Sequence, residues 1–183
     1  WRARLLAAHA PYMDADLVAE ALAVSSHIAD DRAQIEAIIA LCGVLPLDER
    51  QISLREALER ARQIADPRQR ARALTPVIVA LHGAHADATL RLIEDLPHDQ
   101  TRLRPLIAAA ETVTAAGDAA AVRSLADALS EPSDRAEVLL GLWAHLTAPE
   151  RRMVMEVLSK KQHHRPLYVR ALIQMAGESN TAE

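Results

Sequence analysis

Ile64-Ala65-Asp66-Pro67-Arg68-Gln69-Arg70-Ala71 is the stretch on which the fold turns. Asp before Pro marks a helix start: the carboxylate accepts a backbone N–H that has no partner in the first turn, and Pro suits the first helical position. Upstream, Leu54, Ala57, Leu58, Ala61 and Ile64 recur at helical spacing and form one apolar stripe. Downstream, Leu74, Val77, Ile78 and Leu81 form another. The segment therefore predicts two helices joined by a tight turn. Ser53-Leu54-Arg55-Glu56 fits a capping box that opens the first helix, and Gly83 fits a stop for the second.

The same pattern recurs along the chain. Ile28-Ala29-Asp30-Asp31-Arg32 stands 36 positions before Ile64 to Arg68. A shift of 32 places Leu96, Arg102, Leu106 and Val113 under Ile64, Arg70, Leu74 and Leu81. A further 33 brings Leu129, Pro132, Arg135, Ala136, Leu139, Leu142 and Leu146 into register. A looser copy supplies Arg165, Val169, Leu172 and Ala176. Gly117-Asp118 is expected to separate two helices, Glu131 to Asp134 to form an inner turn, and Thr147-Ala148-Pro149-Glu150 to act as another capping box. Arg4 to Ala10 reads as one helix of an interrupted unit, stopped by Pro11.

A period of roughly 30 to 36 residues is that of one helical hairpin, which buries its apolar face only against neighbours. The expectation is an all-α fold: an α-solenoid of about five antiparallel hairpins, with about ten helices and a right-handed superhelix assumed. It spans residues 1–178 as a single array, with 179–183 as a polar tail. An ordinary helical bundle of similar composition is the alternative. Leu74, Leu106, Leu139 and Val169 should be equivalent buried positions.

Composition agrees. The 183 residues contain no Phe, two Trp and two Tyr, against 50% hydrophobic residues dominated by Ala and Leu. Such a chain favours helix and lacks the aromatic and β-branched stock of a sandwich. A formal charge of −4 supplies no general field for nucleic acid. The lone Cys42 excludes an intrachain disulfide framework and a multi-cysteine zinc site. No apolar run suggests a spanning helix or signal peptide, so the expected location is cytoplasmic. Lysine occurs only at Lys160 and Lys161, an arginine-for-lysine bias that fits a GC-rich bacterial genome. A chain opening on Trp1 is expected to be a fragment or a processed product.

The Ile-x-Asp-x-x-x-Arg-Ala turn, at Ile64 to Ala71 and more weakly at Leu129 to Ala136, resembles degenerate TPR-like or HEAT-like helical repeats. Repeats of this kind are found in sensor regions of bacterial STAND-type (NACHT-like) signalling ATPases. The resemblance covers most of residues 14–176, without the Trp-Leu-Gly-Tyr pattern of a consensus TPR or a P-loop. It implies a bacterial signalling context, with any ATPase or effector domain lying outside this chain.

Motifs for chemistry are sparse. His82-Gly83-Ala84-His85 with Asp87 offers ligand types but not the four ligands of a structural zinc site, so no metal is assigned. His163-His164 reads as a solvated turn. Cys42 falls in the core column of Ile78 and Trp143 and reads as a buried small hydrophobe. No catalytic motif and no cofactor is expected, although an enzyme with a non-local site stays open. Residues 151–170 carry Arg151, Arg152, Lys160, Lys161, Arg165 and Arg170 against Glu156 alone, so a basic patch for nucleic acid is the runner-up.

The favoured surface follows from the helical wheel. If Leu74, Val77, Ile78 and Leu81 face the core, positions 72, 75 and 79 face away. Their counterparts are Glu36, Ile39 and Gly43; Arg104, Ile107 and Glu111; Glu137, Leu140 and Ala144; and Leu167, Arg170 and Gln174. Alternating charge with interspersed apolar residues suits a protein or peptide ligand better than a phosphate strand. The candidate binding residues are Arg72, Arg104, Ile107, Glu111, Glu137, Leu140 and Arg170. Between these columns, Ala40, Pro76, Ala108, Gly141 and Ala171 are expected to permit close helix packing.

Overall fold

The computed structural model describes residues 1–81, 85–97, 100–113, 116–160 and 165–180. They form α1 (Arg2–His9), α2 (Ala15–Ser25), α3 (Asp31–Cys42), α4 (Leu47–Gln63), α5 (Pro67–Leu81), α6 (Ala86–Glu94), α7 (Gln100–Thr112), α8 (Ala116–Asp127), α9 (Pro132–Gly141), α10 (Ala148–Ser159) and α11 (Arg165–Asn180). Single 3-10 turns follow α1 and α9, at Ala10–Tyr12 and Trp143–His145. The fold is all-α, with no strand among the described residues. His82, Gly83, Ala84, Lys161, His163 and His164 lie outside the described residues, as do the side chains of Arg165 and Ala176.

Several helix starts follow the sequence signals. Asp14 accepts the N–H of Leu17 at 2.9 Å, and Asp30 that of Ala33 at 2.6 Å. Asp66 accepts the N–H of Arg68 at 2.9 Å, one residue after Pro67. The equivalence of the Asp30 and Asp66 turns therefore holds in three dimensions. Thr147 and Glu150 close a full capping box. Hydrogen bonds from the Thr147 hydroxyl and backbone hold the Glu150 carboxyl below its usual range. Asp66→Ala should lower stability by about 0.5 to 2 kcal/mol. Urea denaturation measures this, and an unchanged midpoint would remove Asp66 as a cap.

Packing follows chain order. Within the hairpins α2 lies on α3, α4 on α5, α6 on α7, α8 on α9 and α10 on α11. The second helices then stack on one another in the order α3, α5, α7, α9 and α11, with α1 against the free side of α3. No extensive contact joins α1–α4 to α9–α11 among the described residues. A single apolar cluster runs from Ala10 to Ala171. Leu74 and Leu106 are fully buried and Leu139 is 3% exposed, as the column alignment requires. Gly141 shows how closely the second helices approach: a Cβ there would sit 2.8 Å from the Cβ of Ala110 on α7.

Four expectations need correction. Val169 is 46% exposed, because α11 packs chiefly on α9 and α10 and this residue lies off that contact. Ser53 caps nothing, since α4 begins six residues earlier at Leu47 behind Pro46. The break expected at Gly117 falls before Ala116, where α8 starts. Helix α11 continues through Asn180, so residues 179 and 180 are not a tail.

One element of the recurrent turn had no assigned role. Arg102, fully buried in α7, donates from one Nη to the carbonyls of Glu94 (2.5 Å) and Leu96 (2.6 Å) at the end of α6. Arg135, in the same register of α9, reaches the carbonyls of Asp127 (3.1 Å) and Leu129 (3.2 Å) at the end of α8. Arg70, in the same register of α5, makes no such bond among the described residues, whereas Arg102 and Arg135 satisfy carbonyls that α6 and α8 leave without a donor. Arg50 does the same for the end of α3, from α4, through Cys42, Gly43 and Leu45.

Candidate functional site

The faces of α3, α5 and α7 turned away from the core form an open groove of about 710 Å³. Arg72 and Arg104 line it, together with Arg32, Glu36, Arg68, Gln100 and Thr101. Its apolar floor is small, contributed by Ala71 and Pro76. Toward α1 it continues into a recess of about 920 Å³ that shares Arg32, Glu36 and Arg72 and adds Trp1, Arg4 and Leu5.

Helix geometry explains this gathering. Arg68 and Arg72 are four residues apart on α5, so they stand one above the other on one face. Since α5 packs directly on α7, Arg104 lines the same groove as Arg72 from the neighbouring helix. Arg32 donates through Nε to Glu36 at 2.9 Å, so that cation is already balanced. Arg68, Arg72 and Arg104 are exposed and form no ion pair among the described residues. Three unbalanced guanidinium groups therefore border one groove. Pro76 adds a backbone feature: lacking an N–H, it offers no donor to the carbonyl of Arg72 four residues back.

The other candidate residues divide. Ile107 is half-buried against the core, and Glu137 is half-buried on α9. Glu111 and Arg170 are bonded to each other at 2.7 Å, tying α7 to α11. Leu140 is only 1% exposed, so it is a core residue and no apolar anchor. The ten-residue α9 sets its inner face deeper against α7 at Gly141, which draws Leu140 inside. Arg68, Gln100 and Thr101 are groove residues that the column argument missed; the signal was their place one turn before Arg72 and Arg104.

Among the described residues, two cations of the basic C-terminal stretch are balanced by ion pairs and a third rests on a ring. Arg151 lies 5.4 Å from the centre of the Trp143 ring, and Lys160 pairs with Glu156 at 2.6 Å. Arg170 is held by Glu111, which leaves Arg152 exposed. Cys42 is buried, and burial pushes its thiol up to about 11 against the opposing effects of Ser53 and Arg50. A thiol so protonated is a poor nucleophile. Among the described residues no three His, Cys, Asp or Glu side chains gather as a metal site. No described helix is long and apolar enough to cross a membrane. Compared with known proteins, the chain matches no family model, no curated protein and no solved structure.

Proposed function

We propose that this chain is a non-catalytic helical-repeat module that binds a protein or peptide along its second helices, as a cytoplasmic sensor segment of a larger bacterial signalling protein. The observation that carries the binding reading is the groove over α3, α5 and α7, lined by Arg72 and Arg104, which form no ion pair among the described residues. A guanidinium binds a carboxylate through two parallel N–H donors while its flat face rests on apolar groups. The stacked order of α3, α5, α7 and α9 supports the repeat reading, because each hairpin then presents the same face to a ligand lying across several units.

The test is selection of a displayed random-peptide library on the whole chain. The wild-type chain is expected to enrich a peptide family, and the Arg72→Glu, Arg104→Glu double variant to lose it. Both side chains are exposed, so the helical circular-dichroism signal and melting temperature should stay nearly unchanged. Arg152→Glu, on the far basic stretch, should retain the family. Loss with Arg152→Glu and retention in the double variant would move recognition to the C-terminal end. Failure of any peptide to enrich would overturn the reading.

A further inference from the structure

We infer that the groove is built for an extended acidic peptide whose two carboxylates stand three residues apart. The inference rests on the peptide-binding reading above and adds the chemistry and spacing of the ligand. Along the row that crosses the second helices at one register, the side chains are Glu36 on α3, Arg72 on α5, Arg104 on α7 and Glu137 on α9. Two cations without an ion pair among the described residues thus stand at the centre of the row, between Glu36, which Arg32 already holds, and Glu137. A phosphate strand carries a charge at every step and would meet the Glu137 carboxylate. A segment with two central carboxylates meets only the arginines.

The spacing follows from helix packing. Packed helices lie about 8 to 10 Å apart, which sets the step from Arg72 to Arg104. A polyproline-II segment has three residues per turn and rises about 3.1 Å per residue, so side chains at i and i+3 share a face about 9 Å apart. The pattern Glu-x-x-Glu in that conformation therefore places one carboxylate at each guanidinium. A lysine a further three residues out, on the α9 side, would face Glu137. The polyproline-II backbone makes no internal hydrogen bonds, which leaves its N–H and C=O groups free. Arg68, one turn before Arg72 on the groove wall, is placed to donate to a ligand carbonyl.

The experiment compares two fluorescein-labelled peptides of the same composition and charge on the whole chain: Lys-Pro-Pro-Glu-Pro-Pro-Glu-Pro-Pro-Lys and Lys-Pro-Pro-Pro-Glu-Glu-Pro-Pro-Pro-Lys. The first should bind about tenfold more tightly or better by fluorescence anisotropy, and the Arg72→Glu, Arg104→Glu variant should erase the difference. Equal binding of the two peptides overturns the spacing argument. A single-stranded oligouridylate that displaces both peptides with a steep salt dependence overturns it in favour of a phosphate backbone. A library family that depends on Arg72 and Arg104 but carries no paired acids overturns this inference alone. Absence of any enriched family defeats the peptide-binding reading beneath it.

Discussion

Leu74→Ala is expected to destabilise the chain by about 2 to 5 kcal/mol, read as a lower urea midpoint at unchanged slope. Leu74 is fully buried on α5, and α5 packs on α3, α4 and α7 at once. The truncation removes apolar atoms from contact and leaves a cavity that three helices cannot all collapse to fill. Contacts here run between neighbours in sequence, so damage at α5 also weakens the coupling between the two halves of the stack. Leu106→Ala, one unit later and equally buried, should cost a similar amount. Val169→Ala occupies the same column on α11 but is 46% exposed, and its effect should fall within about 0.5 kcal/mol. A small loss at Leu74, or an equal loss at Val169, would show that the apolar columns do not mark the core.

That contrast shows what the sequence can and cannot carry. Helix starts were legible because their chemistry is local: Asp30 and Asp66 each satisfy an amide within three residues. The exposed register of Arg72 and Arg104 was legible because the core stripe opposite them fixes which way the helix turns. Val169 was misread because periodicity marks a face as apolar without saying whether another helix covers it. Leu140 failed for the opposite reason, since the close approach of α9 to α7 at Gly141 deepens a face that the wheel places outside. Ser53 had the right spacing for a capping box, yet the residues before it propagate helix from Leu47, with Asp48 and Glu49 in the favourable first turn. The groove itself needed three dimensions: Arg68, Arg72 and Arg104 come from two helices, and that they form no ion pair among the described residues is a property of the packed structure.

Arg102→Met should destabilise the chain by about 2 to 6 kcal/mol, the sum of one buried and one part-buried carbonyl left without a donor at about 1 to 3 kcal/mol each. The substitution keeps the unbranched stem and removes the guanidinium, so packing is conserved better than hydrogen bonding. The charge sits at a cost: burial pulls the Arg102 pKa below its usual range, with Glu94 opposing that effect. What holds the cation inside is the pair of carbonyls at Glu94 and Leu96, which end α6 and have no later turn of helix to bind them. Arg135 makes the equivalent bonds at the end of α8, but its side chain is 38% exposed. Water can replace it there, so Arg135→Met should cost less than Arg102→Met. Urea denaturation of the two variants measures the difference, and amide hydrogen exchange should show protection in α6 falling first in Arg102→Met. Equal losses at the two sites would mean that desolvated carbonyls are not what the recurrent arginine protects. A larger loss at Arg102 would identify it as the bolt between α6 and α7, and would separate it in role from the exposed Arg72 and Arg104.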